Sequence, residues 1–85
     1  MNLIATEPIR LNLGAWNTRI PGFLNVDIRG EVSPDIVADC ADLRQIADGS
    51  VEEIYASNCL EHVPRPKTVP VLKEWHRVLR PGGKL

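Results

Sequence analysis

Three short apolar runs, each halted by a glycine or a carboxylate, constrain this chain more than any other feature. Ile9 to Leu13 stops at Gly14, Phe23 to Val26 runs into Asp27, and Ile36 to Ala38 runs into Asp39. In the first run Ile9, Leu11 and Leu13 alternate with Arg10 and Asn12, the period of a strand with one face more buried than the other. In open α/β sheets ligands bind outside the carboxyl ends of the strands, where Gly14, Asp27 and Asp39 stand. Glycine at the first strand end permits positive φ and close backbone approach to a ligand. The plainer alternative for Gly14 is a simple strand-end turn.

The remaining elements follow in order. Residues 1–8 form a leader that Pro8 ends. The loop from Gly14 to Gly22 closes on the turn pair Pro21-Gly22 and leads to a second strand over Phe23–Ile28. That connection is nine residues long, whereas a parallel crossover normally needs a dozen or more. Either the crossover has lost most of its helix, the favoured reading, or the two strands pair differently. Asp35–Asp39 is a third strand. Ala41–Asp48 is expected to make a turn or two of helix, with Leu43 and Ile46 inward and Gly49 as its stop. The later part of Val51–Ser57 is a fourth strand, followed by the polar loop or helical turn Asn58–His62. A long helix is expected over 67–80, with Thr68 as N-cap and Pro70 tolerated in its first turn. Leu72, Trp75, His76 and Leu79 form its apolar stripe, widened by Val71 and Val78, with Lys73, Glu74 and Arg77 on the other side. Pro81-Gly82-Gly83 stops the helix, and Lys84-Leu85 begins a further strand. The fold class is therefore α/β: a partial Rossmann-like parallel sheet of about four strands with one long C-terminal helix, in a single domain.

Composition narrows the partners. With 85 residues, a formal net charge of −1 and no run of one sign, the chain lacks the footprint of a nucleic-acid or anionic-membrane binder. No apolar run approaches the ~20 residues of a membrane span, and the N-terminus lacks a signal-peptide pattern. Cys40 and Cys59 form no CxxC pair, which points to reduced thiols and a cytoplasmic protein.

Three collinear segments resemble the N-terminal half of a class I S-adenosylmethionine-dependent methyltransferase of the small type 11-like kind. They are Leu11-Asn12-Leu13-Gly14 leading to Asn25-Val26-Asp27; Ala38-Asp39-Cys40 followed by Leu43; and Leu60-Glu61-His62 joined to the run Glu74–Gly83. The resemblance implies S-adenosylmethionine as cofactor. It implies that Gly14 and Ala15 bring backbone amides to the methionine part, that Asp27 accepts from the ribose hydroxyls, and that Asp39 accepts from the adenine amino group. The backbone of Cys40 would read the ring edge, and Ser57 and Asn58 would lie under the reacting methyl. A carboxylate suits the ribose because it offers only acceptors. The chain departs from the family at Asn12, where an acidic residue is usual, and at Trp16 and Thr18, where glycines are usual. Asn12 can meet an ammonium group through its carbonyl oxygen, without the charge. Tryptophan cannot copy glycine's close approach.

Other chemistry-bearing residues have ordinary readings. His62 has the pKa of a general base, but beside Glu61 it reads as a structural pair. His76 reads as half-buried packing, Trp75 and Trp16 as core or interface, and Cys59 as a buried thiol, since no histidine stands at a diagnostic spacing from it in the sequence. His62 and His76 lack the clustered ligands of a metal site. Methyl transfer needs alignment and water exclusion more than a named base, so no catalytic residue is assigned. Because one helix cannot cover both faces of a parallel sheet, the chain is expected to dimerise or to meet a further C-terminal half of the polypeptide. Two functions follow: a methyltransferase or its cofactor-binding half with unknown acceptor, or a non-enzymatic remnant serving as an interaction module.

Overall fold

The computed structural model describes residues 9–56, 59–60 and 63–85. The strands are β1 (Ile9–Leu13), β2 (Leu24–Asp27), β3 (Ile36–Val37), β4 (Val51–Ala56) and β5 (Leu79–Lys84), and the helix α1 is Arg65–Val78. All strand pairs are parallel, in the order β3-β2-β1-β4-β5. The sheet thus has five strands, one more than expected. β3 is only two residues long, with Gly30–Val32 forming a 3-10 turn ahead of it.

The short β1–β2 connection is a parallel crossover without its helix. Leu11, Asn12 and Leu13 pair with Leu24, Asn25 and Val26. This register puts Asn12 beside Asn25 on one face and the apolar residues on the other. Both amides donate to the Thr18 carbonyl, at 3.1 and 3.0 Å, and Asn12 Nδ2 also reaches Asn25 Oδ1 at 3.3 Å. A buried amide pair therefore braces the loop where a helix would have packed.

The apolar face carries Ile9, Leu11, Leu13, Val26, Ile36, Val51 and Ile54 and packs under α1 through Val71, Trp75 and Val78. Trp75, only 1% exposed, is the largest fully buried side chain. The helix stripe is rotated from the expected one: Val71, Trp75 and Val78 are buried, while Leu72 and His76 are exposed. His76 is therefore not packing. The helix also starts three residues before Thr68, with Pro64 as N-cap and Pro66 in the first turn, so Pro70 falls in its interior.

No helix forms over residues 41–48, which are turns. Leu43 and Ile46 are nonetheless buried as expected, at 0% and 1% exposure. Arg77 is the reason. Its guanidinium donates to the carbonyls of Leu43 and Ile46, at 2.9 and 3.0 Å, and to Asp48, while Glu74 accepts the Leu43 N–H at 2.8 Å. Glu74 and Arg77, expected to face solvent, hold this segment by its backbone.

Pro81-Gly82-Gly83 is not a helix stop either. The helix ends at Val78, and β5 begins at once, pairing Leu79 with Val51 and Lys84 with Glu53. The glycines lie in the irregular stretch between those pairs. A Cβ on Gly83 would sit 2.9 Å from the Arg80 carbonyl and 3.1 Å from that of Glu52, so the bulge requires glycine. Glu52, bulged in β4, binds Arg10 and Arg80 at 2.8 Å each and ties three strands together. β4 consequently has β5 as a neighbour on its far side. The second sheet face is not bare apolar surface: Arg10, Asn12, Asn25, Glu53 and Tyr55 alternate onto it.

Candidate functional site

The carboxyl ends of β1, β2 and β3 reach one edge of the sheet. There Gly14, Asp27, Ile28, Arg29, Ala38, Asp39, Cys40 and Cys59 line an open cavity of about 310 Å³. Small-molecule sites typically occupy roughly 300–1,000 Å³, and this cavity stands at the lower end of that range. A second cavity of about 360 Å³ adjoins it through Gly14 and is lined by Asn12, Ala15, Trp16, Thr18, Ile20 and Tyr55. The structure brings together Gly14, Asp27, Asp39 and Cys40 of the predicted site, and sets Asn12 and Ala15 in the adjoining cavity. Ser57 and Asn58 lie outside the described residues, as do Glu61 and His62.

Gly14 has φ of +62°, the left-handed conformation that glycine adopts without penalty. Its N–H and that of Ala15 both donate to the Val26 carbonyl, at 2.9 and 3.3 Å. They extend the β1–β2 pairing and are therefore not the free ligand-facing amides that the resemblance implies. Asn12 is 3% exposed, and its N–H groups are spent on Thr18 and Asn25. Its first role is to hold the loop.

Asp27 is 2% exposed and its carboxylate is engaged from within. Oδ2 accepts the Trp16 N–H at 2.8 Å, while Oδ1 accepts the N–H and Nε of Arg29, at 2.9 and 3.2 Å. The Arg29 guanidinium also stands 4.2 Å from the centre of the Trp16 ring, a cation–π contact. Trp16 itself has φ of +53°, where a family glycine would be unstrained. Sequence reasoning missed Arg29, although a base two residues after a strand-end carboxylate is a legible signal for a local ion pair.

Asp39 is exposed and caps its own turn, with Oδ1 accepting the Ala41 N–H at 2.9 Å. Cys40 is held by the Trp75 indole, whose Nε1 donates to the Cys40 carbonyl at 2.8 Å. Cys59, buried as expected, lines the same cavity, which its sequence position did not reveal.

A parallel sheet in this order, with a cavity across its carboxyl edge, is an α/β Rossmann-like arrangement. The cavity wall suits an adenosine group: Ile28 and Ala38 offer apolar surface for a flat ring and the exposed Asp39 carboxylate an acceptor for an amino donor, while both oxygens of Asp27 already accept from Trp16 and Arg29. Comparison with known proteins makes the class specific. The profile of a family described as methyltransferase domain matches residues 19–85, and the chain belongs to that family, with the class I S-adenosylmethionine-dependent methyltransferase fold. Human thiol S-methyltransferase TMT1B is 46% identical over 50 residues, covering 59% of this chain and 20% of the human protein. The chain thus spans about one fifth of the length of that curated relative. Among the described residues no helix is long and apolar enough to cross a membrane, and no three His, Cys, Asp or Glu side chains cluster as a metal site.

Proposed function

We propose that this chain is the cofactor-binding part of an S-adenosylmethionine-dependent methyltransferase. The observation that carries the reading is the single cavity on which Gly14, Asp27, Asp39 and Cys40 converge. When bound, the cofactor's sulfonium supplies an electrophilic methyl group. The chain's own contribution is to orient the nucleoside and keep water from it. Asp27 would hold the ribose hydroxyls and Asp39 the adenine amino group, once the Arg29 side chain yields its place on Asp27 Oδ1.

The acceptor side would come from a second copy or from further polypeptide. A thiol is the first acceptor to test, since the human relative is named for that activity. A second reading, a non-enzymatic remnant acting as an interaction module, is favoured by the internal contacts that already fill the Asp27 carboxylate.

Calorimetric titration with S-adenosylhomocysteine separates the two. A Kd near 1 μM, about −8 kcal/mol, supports the cofactor site, with Asp27→Ala weakening it about tenfold or more. No heat at millimolar ligand favours the remnant.

A further inference from the structure

Cys40 and Cys59 follow different strands yet share one cavity wall. The chain leaving β3 crosses toward the helix side, where the buried Trp75 indole fixes the Cys40 carbonyl. Cys59, beyond β4, is 4% exposed and belongs to the same apolar cluster as Trp75, with Cys40 packed against that cluster. Neither cysteine is in a disulfide. A hydrogen bond from the Cys59 side chain holds the Cys40 thiol below its usual value, against burial and the negative charge of Asp39. Cys40 is also the more exposed of the two. It is the better-placed nucleophile, with Cys59 positioned to resolve it.

We propose that Cys40 and Cys59 form a redox-active dithiol in the cavity wall, which a peroxide converts into a disulfide. The Cys40 thiolate attacks a peroxide oxygen. The O–O bond breaks, leaving Cys40 as a sulfenic acid, and the departing hydroxide takes up the thiol proton to become water. The Cys59 sulfur then attacks the Cys40 sulfur. The S–S bond forms, the S–O bond breaks, and the second hydroxide leaves as water with the Cys59 proton. Two thiols lose two electrons in all, and the peroxide gains them.

The bond would do more than join two loops. In the sheet, β2 and β1 stand between β3 and β4. Cys40 and Cys59 line the cavity together with Gly14 and Asp27, so a bond between them would narrow the wall that a nucleoside meets. Oxidation would close the cavity to a nucleoside, a consequence that rests on the cofactor reading above.

The test treats the full chain, undenatured, with a small excess of hydrogen peroxide, then measures intact mass, free thiols after unfolding, and the linked peptides. The expected result is a monomer lighter by two hydrogens, with no alkylable thiol, a Cys40–Cys59 cross-linked peptide, and full reversal by a reductant. Persistent free thiols, added oxygen without a link, or cross-links only between chains would overturn the proposal. Cys59→Ser should trap the sulfenic acid on Cys40, detectable with a dimedone probe, whereas Cys40→Ser should leave Cys59 unoxidised at the same dose. Titration with S-adenosylhomocysteine before and after oxidation reads the closure. Affinity should fall about tenfold or more. Equal binding by the disulfide form overturns the closure. A disulfide in a protein that binds no S-adenosylhomocysteine when reduced upholds the dithiol and removes the cofactor reading.

Discussion

The main-chain N–H of Trp16 donates to the buried carboxylate of Asp27 at 2.8 Å, closing the loop after β1 over the tip of β2. The loop thereby gains an anchor in place of the missing crossover helix. The same bond fixes a tryptophan in a left-handed backbone conformation and sets its ring against Arg29. Structure of the loop and access to the cavity are thus linked through one carboxylate.

Arg29→Ala should tighten S-adenosylhomocysteine binding. In the proposed function the ribose hydroxyls would compete with Arg29 for Oδ1 of Asp27. Because the Arg29 side chain is 47% exposed, solvent screening limits the gain to roughly 1 kcal/mol, about fivefold in Kd. Calorimetry on the two proteins checks it. Weaker binding would mean that Arg29 serves the ligand and does not compete with it.

Trp16→Gly should leave stability nearly unchanged while opening the site. Glycine relieves the left-handed strain, about 1–2 kcal/mol, but forfeits a cation–π contact of about 0.5–1 kcal/mol and adds chain entropy in the unfolded state of similar size. The melting temperature should therefore move little and the ligand Kd should fall. A large loss of stability would show the ring to be a structural plug.

Acid should loosen the hold of α1 on the 41–49 segment. The Arg77 guanidinium, helped by the Leu43 N–H, holds the Glu74 carboxyl below its ordinary value of 4.5. The folded state therefore binds fewer protons than the unfolded state. Its contribution is whole above pH 4.5 and is lost as pH falls through the lower folded value. Glu74→Gln should cost about 1.5–3 kcal/mol at neutral pH, and the difference from wild type should shrink on acidification. Urea unfolding midpoints across that range measure both.

Pro70→Ala should stabilise the protein. A proline inside a helix lacks the N–H that would meet the carbonyl four residues earlier, here that of Pro66. Restoring the donor should raise stability by about 1–3 kcal/mol, lessened by the flexibility alanine restores to the unfolded chain. Thermal unfolding provides the measure. No gain would mean that the first turns of α1 already bend to accommodate the ring.

What the sequence by itself determined was everything written in short-range periodicity. Alternation located β1, and the expected runs Phe23–Ile28 and Asp35–Asp39 contain the shorter β2 and β3, Leu24–Asp27 and Ile36–Val37, while the pattern of Leu43, Ile46, Trp75 and Val78 named core residues whose burial the fold retains. Collinear motifs identified the family over most of the chain. The tertiary structure decided what each polar group is bonded to. Arg77 replaces a helix over 41–48 by bonding its carbonyls, the bulge at Gly82-Gly83 turns an apparent helix stop into a strand, and Asp27 is occupied by Trp16 and Arg29. Apolar periodicity is a local property that any segment carries with it. A buried donor or acceptor, by contrast, takes whichever partner the fold brings within about 3 Å, and those partners lie up to 35 positions away along the chain.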